Sequence, residues 1–235
     1  MALLILAFET SAKAGSVALM DDEKLLGERY QNTGLTHSQT LLPMAQNLIE
    51  ECGFAPQDVQ AVAVAAGPGS FTGVRIGVAA AKGFAWGSEI PCYGVSTLEA
   101  MALQLGAWQG YVLPVMDARR SQVYNALFYA KDGALERRCP DRAISLEELA
   151  EEIKNLEEPV FLVGDGSSLC YNTLKDTVSG LVMPPEHRMH QRAAGVGLAA
   201  FAAVKAGLPG DAKALEPNYL RLSQAERERL AREQR

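Results

Sequence analysis

The chain has 235 residues, 48% of them hydrophobic and 21% charged, and a formal net charge of −6. That is the composition of a globular protein with room for two small units, and it excludes disorder outside roughly the last ten residues. The acidic balance argues against this chain gripping nucleic acid alone, because phosphate neutralisation supplies most of that affinity; a complex in which a basic partner holds the nucleic acid stays open.

The first residues, Met1 to Phe8, are apolar but lack a basic start and are interrupted by Glu9. The run is too short for a membrane span and wrong for a signal peptide, so it reads as a buried strand. Cys52, Cys92, Cys139 and Cys170 form no CxxC pair. They read as free thiols of a soluble protein in a reducing cytoplasm. Strands are expected at Leu3 to Glu9, Gly15 to Met20 and Leu25 to Tyr30, and the tight turn at 21–24 makes the last two antiparallel. A helix begins near Thr36, where Thr36 and Gln39 have capping-box spacing. Leu41, Ala45, Leu48 and Cys52 share one face, flanked by Leu42 and Ile49. Pro43 predicts either a separate first turn or a kink, and the helix stops at Gly53.

Ala61 to Ala66 is a further buried strand. The glycine-rich segment Gly67-Pro-Gly-Ser-Phe-Thr-Gly-Val-Arg-Ile-Gly77 follows, then a small-residue helix. Such an order leaves backbone N–H groups at a helix N-terminus, where an anion can sit. Gly73, Gly77, Ala80, Phe84 and Gly87 share one face of that helix. Each glycine costs a helix about 1 kcal/mol relative to alanine, so close backbone approach must compensate. The approaching group is either the chain's own sheet or a helix of another subunit.

The pattern then returns. Tyr111 to Met116 ends in Asp117 as the first strand ends in Glu9. Strands Gln122 to Tyr129 and Leu135 to Cys139 follow, then a helix from Ser145 to Leu156 with a Ser145/Glu148 capping box. The strand Pro159 to Val163 runs into Gly164-Asp165-Gly166-Ser167, which repeats Gly67-Pro-Gly-Ser70. Matched landmarks in the same order indicate an internal duplication with its boundary near residue 105. Beyond the Pro184-Pro185 break, Gln191 to Ala206 reads as a helix, Pro217 to Arg221 as an extended piece, and Gln224 to Arg235 as a charged helix or tail.

The glycine turn lacks the lysine of a Walker loop and the spacing of a dinucleotide fingerprint; Arg75 is the only cation beside it. Glu9 and Asp117 end equivalent strands. They either face each other across a cleft, where a metal–nucleotide could lie, or each caps its own turn. The three histidines, His37, His187 and His190, form no zinc motif, and no GxSxG elbow surrounds a serine. Arg119 and Arg120 follow a buried strand directly and suit a phosphate, an acidic partner surface, or neither. Arg221 and the arginines at 227, 229, 232 and 235 make the C-terminus the one locally basic stretch.

Ile5-Leu-Ala-Phe-Glu-Thr-Ser11, Thr36-His-Ser38, the glycine segment, Asp117-Ala-Arg-Arg120 and Pro217-Asn-Tyr-Leu-Arg221 together resemble the TsaB (YeaZ) family over essentially the whole chain. The resemblance implies an α/β fold of two ribonuclease-H-like units of the actin/Hsp70/sugar-kinase (ASKHA) type, the second reduced. Residues 1–105 would form the partner-docking unit, and 106–235 the reduced unit with the C-terminal helices. It implies a part in making threonylcarbamoyladenosine beside the anticodon of transfer RNA. There the family is the non-catalytic partner of TsaD, which carries the metal and the transfer chemistry. A TsaE-like ATPase joins the pair, the chain dimerises when alone, transfer RNA is reached through the complex, and no membrane is involved. No cofactor of its own is implied, though ATP or ADP can sit at a composite site. The interface implied by the family maps onto His37, Leu41, Leu42, Ala45, Ile49, Phe71, Gly73, Val74, Gly77 and Phe84, with Glu9, Asp117 and Arg119 as cleft residues. An older family label gives the alternative of a metal-dependent glycopeptidase-like protease; a nucleotide-binding ASKHA enzyme is the other. Two departures favour a scaffold: the region around residue 100 has no HxxxH, and Glu9-Thr10-Ser11 stands where the related start is Asp-Thr-Ser.

Overall fold

The structure, a computed structural model, describes residues 2–105 and 109–221. The expected element from Gln224 to Arg235 lies outside the described residues. The first sheet starts as an antiparallel meander, β1 (Leu4–Glu9), β2 (Gly15–Asp21) and β3 (Lys24–Gln31). Helix α1 (His37–Glu51) leads to β4 (Ala61–Gly67), and α2 (Phe71–Ser88) leads to β5 (Cys92–Ser96) and α3 (Thr97–Leu103). The order is β3-β2-β1-β4-β5, with β4 parallel to both β1 and β5.

The period of two divides each strand between two cores. Leu4, Leu6, Phe8, Val17, Leu19, Val62 and Val64 meet Leu41, Ala45, Leu48 and Ile49 of α1 and Val74, Val78 and Ala81 of α2. Ile5, Ala7, Ala18, Met20, Ala61, Ala63 and Ala65 face the other way. Helix α1 is continuous through Pro43; the ring deletes one amide donor without breaking the helix, because α1 is held by its buried face. Thr36 is the N-cap, but its side chain accepts no bond, so the expected capping box with Gln39 does not form.

The second sheet comprises β6 (Gly110–Arg119), β7 (Gln122–Asn125), β8 (Phe128–Lys131), β9 (Ala134–Arg137), β10 (Arg142–Ser145), β11 (Val160–Val163) and β12 (Leu181–Val182). Its main path, β10-β7-β6-β11-β12, repeats the first order. The expected strand from Gln122 to Tyr129 is two strands. The end of β6 pairs with β7, while its start pairs with β8, so the β8–β9 hairpin is an insertion. The third place of the meander belongs to β10, not to the expected Leu135 to Cys139. Helix α4 (Leu146–Ile153) carries the capping box: the Glu148 amide donates to Ser145 Oγ at 3.1 Å, and the Ser145 amide donates to Glu148 Oε2 at 3.2 Å. The reduction of this unit lies in its helices. Helix α4 and α5 (Ser167–Leu174) have 8 residues each, against 15 in α1 and 18 in α2.

Two helices exchange places. After the short α6 (Glu186–Met189), α7 (Ala193–Lys205) returns to the first sheet, where Ala193, Val196 and Ala200 cover Ile5, Ala7, Met20 and Ala63. Helix α3 instead joins the second sheet: Leu98, Met101, Ala102 and Leu105 pack with Val112, Met116, Phe128 and Val163. The two helices also touch, a Cβ at Gly195 running into the Ala100 carbonyl. A boundary at residue 105 therefore divides the sequence but not the packing. The small apolar face of α7 fits the alanine-rich inner face of the first sheet. No described helix is long and apolar enough to cross a membrane.

Candidate functional site

The glycine turn sits where β1 and β4 end beside α2. Ser70 caps α2, its Oγ accepting from the Gly73 amide at 3.3 Å. The Ser70 amide donates to the Ser11 carbonyl at 2.6 Å, and Thr10 Oγ1 donates to the Gly73 carbonyl at 2.8 Å. A Cβ at Gly69 would lie 2.5 Å from the Ser11 carbonyl oxygen, one at Gly73 would strike the Thr10 carbonyl, and one at Gly77 the Thr10 hydroxyl. The close approach that these glycines permit is thus made by the chain's own β1 end. Gly83 and Gly87, farther along α2, have nothing within 4 Å of a Cβ position.

A C-terminal strap closes the turn from outside. Lys82 Nζ donates to the carbonyls of Lys213 at 3.4 Å and Leu215 at 3.0 Å. The Asn218 amide donates to the Ala66 carbonyl at 2.6 Å, and the Asn218 carbonyl lies against Gly67, whose φ of 122° suits glycine alone. Tyr219 stacks on Phe71 with ring centroids 4.2 Å apart, and its hydroxyl accepts from Arg75 Nε at 2.7 Å. Arg221 Nη1 then crosses to the second unit and donates to the Ala118 carbonyl at 2.5 Å.

Both carboxylates cap turns. Glu9 is 1% exposed, and its Oε1 accepts from the Ser11 amide at 2.5 Å. Asp117 is exposed, and its Oδ1 accepts from the Arg119 amide at 2.7 Å. Each caps its own turn two residues on, as the duplication requires. A third acid, Asp165, acts on Glu9 and is itself acted on by Asp117. Burial pushes the Glu9 carboxyl up to about 7, against the Ser11 bonds that lower it, and Asp165 raises it further. Loss of hydration raises Asp165 too; its bond from Gln191 Nε2 at 2.7 Å opposes this, and Asp117 adds to it. Asp165 lies in no catalytic motif of the sequence. The signal lay in the repeat, where it occupies the place of Pro68 in the second Gly-x-Gly-Ser turn.

Both glycine turns are packed closely by the chain's own atoms. The first is filled by Thr10, Ser11 and Asn218. In the second, the Gly166 amide donates to the Val115 carbonyl at 3.1 Å, and a Cβ there would meet the Met116 and Asp117 backbone at about 3 Å. Among the described residues, no three His, Cys, Asp or Glu side chains are grouped to hold a metal ion. His190 lies 3.3 Å from Glu186, an acidic partner unforeseen from sequence. The four cysteines are free, and burial pushes Cys92 and Cys170 up to about 12.

The residues implied as a partner interface separate into two sets. Leu41, Ala45, Ile49, Gly73, Val74 and Gly77 are buried within the chain. The cause is the amphipathic period of α1 and the Thr10 contact of α2. His37 is tied to its own chain, Nε2 donating to the Ala12 carbonyl at 2.9 Å, and Phe71 is stacked under Tyr219. Phe84 is half-buried against the first core. Leu42 is exposed, as is Trp86, which the sequence reading passed over.

The chain matches the family model "TsaD: tRNA N6-adenosine threonylcarbamoyltransferase" over residues 31–229. It is 35% identical to the tRNA threonylcarbamoyladenosine biosynthesis protein TsaB of Bacillus subtilis (strain 168), covering 95% of this chain and 96% of that one. Its likeness to TsaB of Escherichia coli (strain K12) is 36% identity over 76% of this chain and 78% of that one. Among solved structures, YeaZ from Pseudomonas aeruginosa superposes with a TM-score of 0.75 at 26% identity, over 93% of this chain and all of that one. The activator of 2-hydroxyisocaproyl-CoA dehydratase from Clostridium difficile, with bound ADPNP, aligns with a TM-score of 0.50 at 11% identity, over 87% of this chain and 97% of that one. That likeness concerns fold alone, and with the repeated strand order it makes the architecture ASKHA-type. With 35% identity to the Bacillus subtilis protein and near-full coverage on both sides, the chain belongs to the TsaB (YeaZ) family.

Proposed function

We propose that this chain is a non-catalytic subunit in the biosynthesis of threonylcarbamoyladenosine in transfer RNA, acting by docking a TsaD-like catalytic subunit. One observation carries the reading: both glycine turns are packed against the chain's own backbone. A nucleotide-dependent enzyme of this fold would need those turns open, and a metal-dependent glycopeptidase would need a grouped ligand set.

Docking falls to the outward side of α1 and α2. Leu42 is 53% and Trp86 66% exposed; on α2, Ala79 and Gly83 are exposed and Ile76 and Phe84 half-buried. Small residues flanked by large apolar ones let a second helix pair approach closely. The same face serves a second copy when the chain is alone. A TsaE-like ATPase joins the complex in the cytoplasm, transfer RNA is reached through it, and ATP or ADP binds only at a site shared with partners. Reconstitution tests this. Unmodified transfer RNA, incubated with the TsaD-like and TsaE-like proteins and their substrates, should be modified only when this chain is present. Equal modification without it refutes the proposal.

A further inference from the structure

We infer that the β6–β7 hairpin tip and the C-terminal strap, with the first turns of α2, together form a phosphate-binding surface for RNA. The inference rests on the proposed role in transfer RNA modification and names where this chain meets the RNA.

The tip is built at a conformational cost. Arg119, Arg120 and Ser121 have φ of 63°, 56° and 56°, three consecutive side-chain-bearing residues in the left-handed region. Glycine or asparagine occupies such positions far more readily. The chain places two arginines there instead, both exposed and neither with a carboxylate partner among the described residues. Arg29, Arg137, Arg138, Arg142 and Arg192, by contrast, each pair with a Glu or Asp. Arg221 joins the strap to this tip through the Ala118 and Arg119 carbonyls, at 2.5 and 3.5 Å. Those acceptors are neutral, so its charge is uncompensated as well. Two residues back, Tyr219 accepts from Arg75, whose guanidinium lies 5.5 Å from the Tyr219 ring centroid. Four guanidinium groups are thus linked along a short path. Asp117, at the base of the tip, opposes them, but its Oδ1 is engaged by the Arg119 amide.

Phosphate and nucleobase chemistry fits this surface better than an acidic protein does. Guanidinium forks match phosphate oxygens, and the exposed Tyr219 ring on Phe71 offers a face on which an unpaired base can stack. An acidic protein surface has no use for the aromatic face. With a net charge of −6, the chain would add this contact to whatever grip its catalytic partner supplies.

The test is anisotropy titration of a fluorescein-labelled, unmodified transfer RNA transcript at several salt concentrations, with the full chain alone and with the TsaD-like subunit. In the R119N/R120N variant, asparagine keeps the left-handed turn while both charges are lost. Affinity should fall about 10-fold near 0.1 M salt, and the slope of log K against log salt should become shallower by roughly 1.5. R119K/R120K should keep most of the affinity, and K24A, on the far edge of the first sheet, should match wild type. Unchanged affinity and slope in R119N/R120N overturn the inference. So does loss of co-elution with the TsaD-like subunit at undiminished RNA affinity of the chain, which would make the patch a protein contact. The proposed function fails separately, if transfer RNA is modified equally without this chain.

Discussion

Glu9→Gln should stabilise the protein, and do so only at higher pH. Glu9 is buried, and its carboxyl is raised from 4.5 to about 7 by loss of hydration, with Asp165 adding repulsion. A folded-state value above the unfolded one means that the native chain holds the proton more tightly. The stability this contributes is fully present below 4.5 and is lost as pH rises through about 7. A difference of two to three units corresponds to about 3 kcal/mol, a large share of the 5–15 kcal/mol typical of a folded domain. Glutamine keeps the shape, and its carbonyl can accept the Ser11 amide that Glu9 Oε1 now accepts. Asp165 titrates in the same direction, and Asp117 and His190 act on Asp165, so the comparison is of the variant with wild type at each pH. Urea denaturation at pH 5, 7 and 8 should give near-equal stabilities at pH 5 and an advantage to Glu9→Gln at pH 8 on the order of 2–3 kcal/mol. An advantage that is flat with pH, or a variant that loses stability most at pH 8, would refute the argument by showing Glu9 ionised and favourably paired in the folded chain.

Two glycines of α2 should respond oppositely to the same change. Gly73→Ala forces a methyl against the Thr10 carbonyl, a backbone atom that cannot move aside, and should cost about 3 kcal/mol or more; Gly83→Ala meets nothing within 4 Å and should gain up to about 1 kcal/mol in thermal or urea unfolding. Leu42→Glu with Trp86→Glu should leave stability within about 0.5 kcal/mol of wild type, both residues being exposed, while abolishing co-elution with the TsaD-like subunit. Ser145→Ala removes the cap of α4 and should cost about 1 kcal/mol by urea denaturation.

The duplication was legible because it is written in local signals: an acid ending a buried strand, a tight turn, a capping serine, a Gly-x-Gly-Ser step. Each is set by residues a few positions apart. The β8–β9 insertion was not legible, because β6 carries one apolar run that serves two partners along its length. Nor was the exchange of α3 and α7: an alanine-rich helix and an alanine-rich sheet face attract no specific partner until both are in place. The same limit explains the glycine face of α2. Spacing showed that something must approach Gly73 and Gly77, but only the fold shows that it is Thr10, so a bulky residue at Gly77 would test folding rather than docking. The exchange bears on function. Opening a cleft between the units by a hinge near residue 105 would pull Leu98 and Met101 from the second core, or Val196 and Ala200 from the first. Burial of each such side chain contributes about 1.5–3 kcal/mol, somewhat less for alanine. Cleft closure around a substrate is therefore expensive for this chain, which favours the proposed docking role over catalysis in a closing cleft.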